Sequence, residues 1–302
     1  MPYSAPSTKA FADLACFVAL NRAGRDPAFL SRAQFWIDQF GDQDITTITG
    51  EQVEDAFMIL RQKRKMKVIP NWSGDQAQLV ETDQPLATST LNRSLSTLGG
   101  IFRELREMGL LRRSHVSPLR GFGRLKETGG KTITVAADDV QRLVAASRLS
   151  RNPKLAAWVA FAAQSGWRRG NIESLTWGQL DLDNGFADTE RTKNGTAHRI
   201  PLLPWVIVEL KRIKAKDVEG GDLVFGPTNI TKSFKAALRL AGLPESWTLH
   251  SLRHVAASIL SQSGANVQTV MAALNHKTPS MALHYSHLNT DSVRDSLKRA
   301  WR

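Results

Sequence analysis

The stretch from His250 to His287 constrains this chain more than any other part, because it gathers reactive side chains on short helices. It holds five of the seven histidines and one of the two tyrosines of the 302-residue chain. Leu252, Val255 and Ile259 recur at helical intervals, which predicts a helix over about 249–262. A packing core does not need this density of titratable groups, so the stretch indicates a chemical site.

Two side chains of this helix are placed to act together. His250 and Arg253 are three residues apart, so they share one helix face and can hold the same group. After a break at Ser263 and Gly264, a second helix is predicted to end at Asn275, a residue type suited to the left-handed conformation that closes helices.

The next residues predict a third helix. Thr278 followed by Pro279 is typical of a helix start, so Tyr285 would lie on this helix and His276 in the turn before it. Each histidine alone is typical of an ordinary surface or core position. A zinc site is disfavoured, because Cys16 is the only cysteine and no paired ligand spacing repeats.

The complete pattern is more specific than its parts. It reads H-x-x-R from His250 to Arg253, followed by H-x8-Y from His276 to Tyr285, and it resembles the tyrosine recombinase, or phage integrase, family. The resemblance implies an enzyme that cuts and rejoins DNA through a covalent 3′-phosphotyrosyl intermediate. It also implies that no metal, ATP or other cofactor takes part.

A second motif precedes this region. The sequence SGWRRGNIESLTW, residues 165–177, resembles the first arginine box of the family, on which Arg168 rather than Arg169 is the catalytic arginine. The box departs from the family at Asn171, where an acidic residue usually stands. Asparagine can still form hydrogen bonds but brings no charge. A lone arginine at a helix start is otherwise typical of a surface salt bridge.

The segment 179–202 is the convincing strand region. Asn184-Gly185 and Asn194-Gly195 are hairpin turn signals, which predict a three-stranded antiparallel meander. Lys193 immediately precedes the second turn. A lysine at a hairpin tip is usually a solvated surface residue, but in the family the lysine at this turn reaches the scissile phosphate.

The resemblance assigns a role to each candidate catalytic residue. The roles are those of the nucleophile Tyr285, the charge-stabilising Arg168 and Arg253, the general acid Lys193, the proton-transfer residue His250 and the phosphate ligand His276. Arginine suits its role because the guanidinium is permanently charged and fork-shaped. Imidazole suits proton transfer because it titrates near neutrality.

Helical patterns in the first half resemble the family's core-binding domain, in which a long helix lies against DNA. A capping box at Thr49 and Gln52 predicts the third helix, which runs into a basic segment at 61–67, and residues 68–86 are typical of a loop or hairpin. The basic segment also fits a solvated helix end. The candidate DNA contacts are Arg61, Lys63, Arg64, Lys65, Arg93, Arg103, Arg120 and Arg124.

Charge and sequence pattern predict a partner and a division of the chain into domains. Forty Lys and Arg against 28 Asp and Glu give a net charge of +12, which favours nucleic acid as a partner. We expect a helical, SAM-like core-binding domain over 1–115, a basic linker over 116–132 and a catalytic domain over 133–302. The predicted fold class is mainly α, with a mixed α+β catalytic domain that contains a small three-stranded antiparallel sheet.

The end of the chain, 286–302, predicts a helix with Val293, Leu297 and Trp301 on one stripe. This stripe fits packing on its own domain as well as the family's docking on a neighbouring subunit. The resemblance implies double-stranded DNA as partner and a homotetramer assembled on two DNA sites, and host DNA-bending factors are left open. About ten residues precede the first helix, so we expect no additional arm-binding domain.

The sequence favours an intracellular, cytoplasmic and nucleoid-associated protein without membrane contact. No apolar run approaches the roughly 18 residues that a spanning helix needs, and the start lacks a signal peptide's apolar core. A single cysteine suits a reducing compartment.

Two other functions fit parts of the pattern. A type IB topoisomerase uses similar chemistry, but the core-binding pattern and the terminal helix favour recombination. A DNA-binding protein on a decayed recombinase scaffold is supported only by Asn171, because the other catalytic positions are filled.

Overall fold

The computed structural model of the chain describes residues 4–22, 26–69, 78–127, 135–189, 197–226, 229–276 and 278–283. The chain forms two compact units, Met1–Gly129 and Gly130–Arg302. Their described residues are mainly helical, and a small three-stranded antiparallel sheet lies in the second unit. The predicted fold class is confirmed.

The first unit is built on helices around one long helix. Its helices are α1 (Phe11–Arg22), α2 (Phe29–Phe40), α3 (Gly50–Gln62) and α4 (Thr88–Glu107), with a 3-10 turn at Ile45–Thr47. On α4, Ile101, Phe102 and Leu105 are completely buried, as their helical spacing predicts. They belong to the same core as Phe11 of α1 and Trp36 of α2.

The basic segment after α3 differs from the expected helix. The capping box between Thr49 and Gln52 is present and begins α3, but the backbone becomes extended at Lys63. The chain then enters a hairpin of two antiparallel strands, β1 (Arg64–Ile69) and β2 (Gln78–Pro85). Pairing between the strands satisfies the backbone groups there, so the hairpin begins earlier than predicted.

The described part of the expected linker packs on the first unit. Leu119, Phe122 and Leu125 are partly buried against its core. The buried side chain of Asn92 on α4 accepts a hydrogen bond from the Leu125 N–H and donates one to the Leu125 carbonyl, both at 2.9 Å. The segment up to residue 127 is therefore attached to α4, which differs from a free tether.

The second unit is organised around a helix that is apolar on all sides. Its helices are α5 (Ala137–Arg148), α6 (Leu155–Ser165), α7 (Arg169–Glu173), α8 (Pro204–Ile213), α9 (Thr231–Leu240), α10 (Ser251–Gln262), α11 (Val267–Leu274) and α12 (Pro279–Leu283). All of α6 except Gln164 is buried, because α5, α8 and α10 pack around it. Helix α9 did not figure among the sequence predictions.

The small sheet follows the predicted meander. Its strands are β3 (Leu180–Asp181), β4 (Phe186–Thr189) and β5 (His198–Pro201), paired antiparallel in that order. Gly185 has a φ of +73° in the first turn, which glycine adopts without strain. The first predicted hairpin is confirmed, and the second turn, with Lys193, lies outside the described residues.

Candidate active site

The first arginine box forms the turn between α6 and α7. Gly166 ends α6 in the left-handed conformation, with a φ of +59°, and Arg168 is the N-cap of α7. The Arg168 side chain is half-buried, and it makes no hydrogen bond or ion pair with any residue that the structure describes. Its neighbour Arg169 is exposed and bonds Glu173 at 2.6 Å. The two adjacent arginines therefore have different surroundings.

Arg253 joins the ends of two helices. It lies on α10 with only 6% of its surface exposed. Its Nη1 donates to the carbonyl oxygen of Gly166 at 2.6 Å, and its Nη2 donates to that of Leu274 at 2.7 Å. Both carbonyls belong to helix C-termini, where backbone acceptors lack intrahelical partners. The guanidinium is therefore held in one orientation beside the arginine box.

His276 follows the end of α11. Asn275 adopts the predicted left-handed conformation, with a φ of +51°, and closes the helix. The His276 Nδ1 is buried without a hydrogen-bond partner in the described part of the chain. Burial, followed by the nearby charges of Arg253 and Arg168 and by His254, lowers the pKa of His276 to about 4. The ring is neutral near pH 7.

Two further histidines lie near the start of the helix that carries Arg253: His250 is its N-cap, and His254 is in its first turns. The rings of His250 and His254 meet edge to face, with centroids 5.2 Å apart. Partial burial lowers the pKa of His250, with Arg253 and Arg168 acting in the same direction. The pKa of His254 is lowered by burial, by His250 and by Arg253. Because its pKa is lowered, His250 is a neutral proton acceptor near pH 7, and much of its surface remains open to solvent.

The charges of Arg168 and Arg253 act on both imidazoles, so four of the predicted catalytic residues lie in one cluster: Arg168, His250, Arg253 and His276. Both arginines are cations, and both lower the pKa of His250 and of His276. Such a concentration of positive charge favours the binding of an anion such as a phosphate group. The sequence patterns did not assign His254 to this cluster, although its spacing of four residues from His250 places both on one helix face.

A model of the phage integrase family matches residues 134–292, which is more than half of the chain. The chain belongs to the phage integrase, or tyrosine recombinase, family. The resemblance stated on the H-x-x-R and H-x8-Y motifs is thereby confirmed.

Named relatives agree with this assignment. The shufflon-specific DNA recombinase of Escherichia coli is 30% identical over 214 residues, which cover 68% of this chain and 53% of that protein. The tyrosine recombinase XerC of Brucella melitensis is 27% identical over 220 residues, 68% of this chain and 69% of that protein. The integrase of Haemophilus phage HP1 is 27% identical over 222 residues, 72% of this chain and 62% of that protein. The matches thus span little more than half to about two thirds of these relatives.

Solved structures share the fold. The Tn1549 transposon integrase in complex with transposon right end DNA has a TM-score of 0.69 at 16% identity, covering 97% of this chain and 100% of that one. A λ integrase dimer bound to a COC′ core site has a TM-score of 0.64 at 17% identity, covering 93% and 97%. At these identities the likeness establishes the fold alone.

Two predicted catalytic residues of this family member, Lys193 and Tyr285, lie outside the described residues, as does the predicted terminal helix over 286–302. The described residues end a few positions before each of them in the sequence. Strand β4 ends at Thr189 before Lys193, and α12 begins at Pro279, as predicted, and is described to Leu283.

The predicted DNA contacts all lie in the first unit and are exposed: Arg61, Lys63, Arg64, Lys65, Arg93, Arg103, Arg120 and Arg124. Some have local partners. Arg124 donates to the hydroxyl of Ser96 on α4 at 3.4 Å, and Arg103 lies 3.9 Å from Glu107. The contact to Ser96 brings Arg124 to the α4 surface that also carries Arg93.

The described residues hold no group of three or more histidine, cysteine, aspartate or glutamate side chains arranged to bind a metal. Within the same residues, no helix combines the length and the apolar character that crossing a membrane requires.

Proposed function

We propose that this protein is a site-specific recombinase of integrase type, which cuts and rejoins DNA through a 3′-phosphotyrosyl intermediate. The observation that carries the proposal is the cluster of Arg168 and Arg253 with the neutral imidazoles of His250 and His276. Phosphoryl transfer needs fixed positive donors around the phosphate and a nearby proton acceptor. The cluster has both.

The proposed reaction begins at Tyr285. Its phenolic oxygen attacks the scissile phosphorus, and the bond from phosphorus to the 5′-oxygen breaks. His250 assists removal of the phenolic proton, and Lys193 gives a proton to the departing 5′-oxygen. A 5′-hydroxyl on the same or another strand then reverses these steps. The phosphodiester energy is stored in the tyrosyl link, so the proposed cycle needs neither ATP nor a metal.

Arg168, Arg253 and His276 are proposed to stabilise the charge that develops on the non-bridging oxygens. Loss of one such donor costs about 3 kcal/mol of transition-state stabilisation in comparable oxyanion sites. The fixed orientation of Arg253 on two carbonyls favours this role, since a donor that is already oriented requires little reorganisation.

Double-stranded DNA is the proposed substrate. The net charge of +12 favours a polyanion, and the related Tn1549 and λ integrases are described in complex with DNA. We further propose a homotetramer on two DNA sites, with 286–302 as the docking helix, in an intracellular, nucleoid-associated setting. Host DNA-bending factors are a proposed additional class of partner.

A suicide-substrate assay tests the activity. Nicked duplexes drawn from DNA on both flanks of the gene are incubated with the protein in the presence of EDTA and without ATP. A denaturation-resistant protein–DNA adduct is expected, and Tyr285→Phe is expected to form none. An adduct that persists in the Phe variant would refute the assigned nucleophile.

Asn171 supports a second candidate, a DNA-binding protein without strand cleavage. Residue 171 is an asparagine where the family usually has an acidic residue, and within the described chain its side chain makes no hydrogen bond to that of Arg168. Sequence-specific binding with no adduct on any duplex of the panel would favour this candidate. Activity that rises in Asn171→Asp would trace a weak adduct to the missing charge.

A further inference from the structure

His198 joins three parts of the second unit. It is the first residue of β5 and pairs with Thr189 of β4. Its Nε2 lies 2.7 Å from the carbonyl oxygen of Ala272 in α11, and because a carbonyl only accepts, Nε2–H is the donor. Its ring centroid also lies 5.9 Å from that of Trp167, the residue before Arg168. The side chain of one residue in the sheet thus contacts both α11 and the arginine box.

The C-terminus of α11 is bound by side chains from distant segments. The final carbonyls of a helix lack intrahelical partners. Here the carbonyl of Ala272 accepts from the Asn275 N–H at 3.3 Å and also from His198, and Arg253 binds the carbonyl of Leu274 at 2.7 Å. The backbone N–H of His276 donates to the Met271 carbonyl at 2.9 Å. His276 therefore leaves a turn that is closed by its own backbone and is also bound at two carbonyls by side chains from distant segments.

We propose that His198 is a positioning residue for strand cleavage, which holds the terminal turn of α11 so that His276 faces the phosphate site. The inference rests on the recombinase activity proposed above. In this role His198 touches no reacting atom and acts through the Ala272 carbonyl and Trp167.

The surroundings of His276 favour positioning over simple stabilisation. Its Nδ1 is buried and finds no hydrogen-bond partner among the described residues, so the orientation of the ring depends on the backbone of the turn. A displacement of about 1 Å at a catalytic group can cost about 100-fold in rate. Loss of the His198 contact would permit such a displacement.

Three variants separate the hydrogen bond from the packing. His198→Phe keeps a ring against Trp167 but removes the donor, whereas His198→Gln keeps an N–H at similar reach. Gln164→Leu is the matched control, because Gln164 donates to the Pro201 carbonyl at 2.8 Å and accepts from the Leu203 N–H at 3.2 Å, so its described hydrogen bonds reach the other end of β5 and not α11.

The rate of covalent adduct formation and the DNA affinity are then measured for each variant. We expect His198→Phe to form the adduct about 10- to 100-fold more slowly, with affinity within about twofold of wild type. His198→Gln should recover most of the rate, and Gln164→Leu should retain it. Equal rates in His198→Phe and wild type, or equal losses in His198→Phe and His198→Gln, would overturn the proposal.

A double-mutant cycle tests whether His198 acts through His276. His198→Phe in a His276→Ala background should lower the rate by no more than about twofold beyond His276→Ala alone, because the group to be positioned is already absent. If the rate losses of His198→Phe and His276→Ala instead multiply in the double variant, His198 does not act through His276, and the proposal is overturned. A wild-type protein that forms no adduct would refute the recombinase activity itself, whereas a wild-type adduct unchanged in His198→Phe would refute only the positioning role.

Discussion

Adjacent arginines in the box provide a matched pair at the scale of single residues. Arg168 is half-buried, lies near His250 and His276 and has no bonded partner among the described residues, whereas Arg169 is exposed and paired with Glu173. Coulomb interactions weaken with distance, so a charge acts mainly on nearby groups. Of the two arginines, only Arg168 is therefore placed to act on a phosphate bound beside His250 and His276.

Replacement of each arginine by alanine tests this distinction. Arg168→Ala should slow adduct formation by about 10²–10³-fold, because a fixed donor to the transition state is lost. Arg169→Ala should change the rate by less than about threefold, because an exposed ion pair contributes little. Time courses on one suicide substrate measure both. A comparable loss in the two variants would remove the catalytic assignment from Arg168.

The lowered pKa of His276 predicts a pH dependence of stability. The unfolded chain binds a proton on this side chain near pH 6.5, whereas the folded protein does so only near pH 4. Between these values the unfolded state holds more protons, so the free energy of unfolding should fall as the pH decreases from about 6.5 to about 4. The expected loss is about 1–3 kcal/mol. The lowered pKa values of His250 and His254 act in the same direction.

Urea unfolding at pH 7 and pH 5, followed by tryptophan fluorescence, measures the part of this loss that falls above pH 5. His276→Gln carries no titrating group at the position, so its stability should change less between the two values. A variant with the same pH dependence as wild type would show that other groups cause it.

At the scale of elements, the site depends on close contact between the end of α6 and the end of α11. Gly166 has a positive φ, and a Cβ there would collide with the side chain of Leu274 and lie 3.1 Å from the Cβ of Ala256. Its carbonyl also binds Arg253. Glycine is therefore required here both by the backbone conformation and by the approach of α10 and α11.

Gly166→Ala should destabilise the second unit by at least about 2 kcal/mol, through strain at positive φ and displacement of Leu274. Gly170→Ala in α7 is the control, because a Cβ there meets no atom within 4 Å. Alanine favours helix over glycine by up to about 1 kcal/mol, so this variant should be neutral or slightly stabilised. Thermal unfolding distinguishes them. Equal melting temperatures for the two variants would contradict the packing explanation.

Local signals predicted local features. The capping box at Thr49, the left-handed Asn275 and the helix start at Pro279 each depend on a few neighbouring residues, and the structure contains all three. The contacts of Arg253 and His198 reach up to 87 residues along the chain, and no local pattern specifies them. The basic segment after Lys63 forms a strand instead of helix because the next strand, β2, pairs with it.

At the scale of the whole molecule, the positive charge is unequally divided. The second unit, Gly130–Arg302, has 23 Lys and Arg against 14 Asp and Glu, a net charge of +9. The first unit has 17 against 14, a net charge of +3. Phosphate contacts release counterions in proportion to their number, so we infer that the second unit contributes most of the salt dependence of DNA binding. The first unit contributes through particular arginines.

Arg93 and Arg124 allow that contribution to be measured, because Arg124 reaches Ser96, close to Arg93 on α4. In a Tyr285→Phe background, which prevents cleavage, each alanine substitution should reduce the slope of log affinity against log salt by about 0.9 if one phosphate contact is lost. The affinity should fall alike for specific and unrelated duplexes, since phosphate contacts carry no sequence information.

Arg239→Ala is the control, because this exposed arginine is paired with Glu245 at 3.0 Å in the second unit. Fluorescence anisotropy over a salt series gives the slopes. Unchanged slopes in Arg93→Ala and Arg124→Ala would place the DNA contacts of the first unit elsewhere, with the β1–β2 hairpin and its Arg64 and Lys65 as the next surface to test.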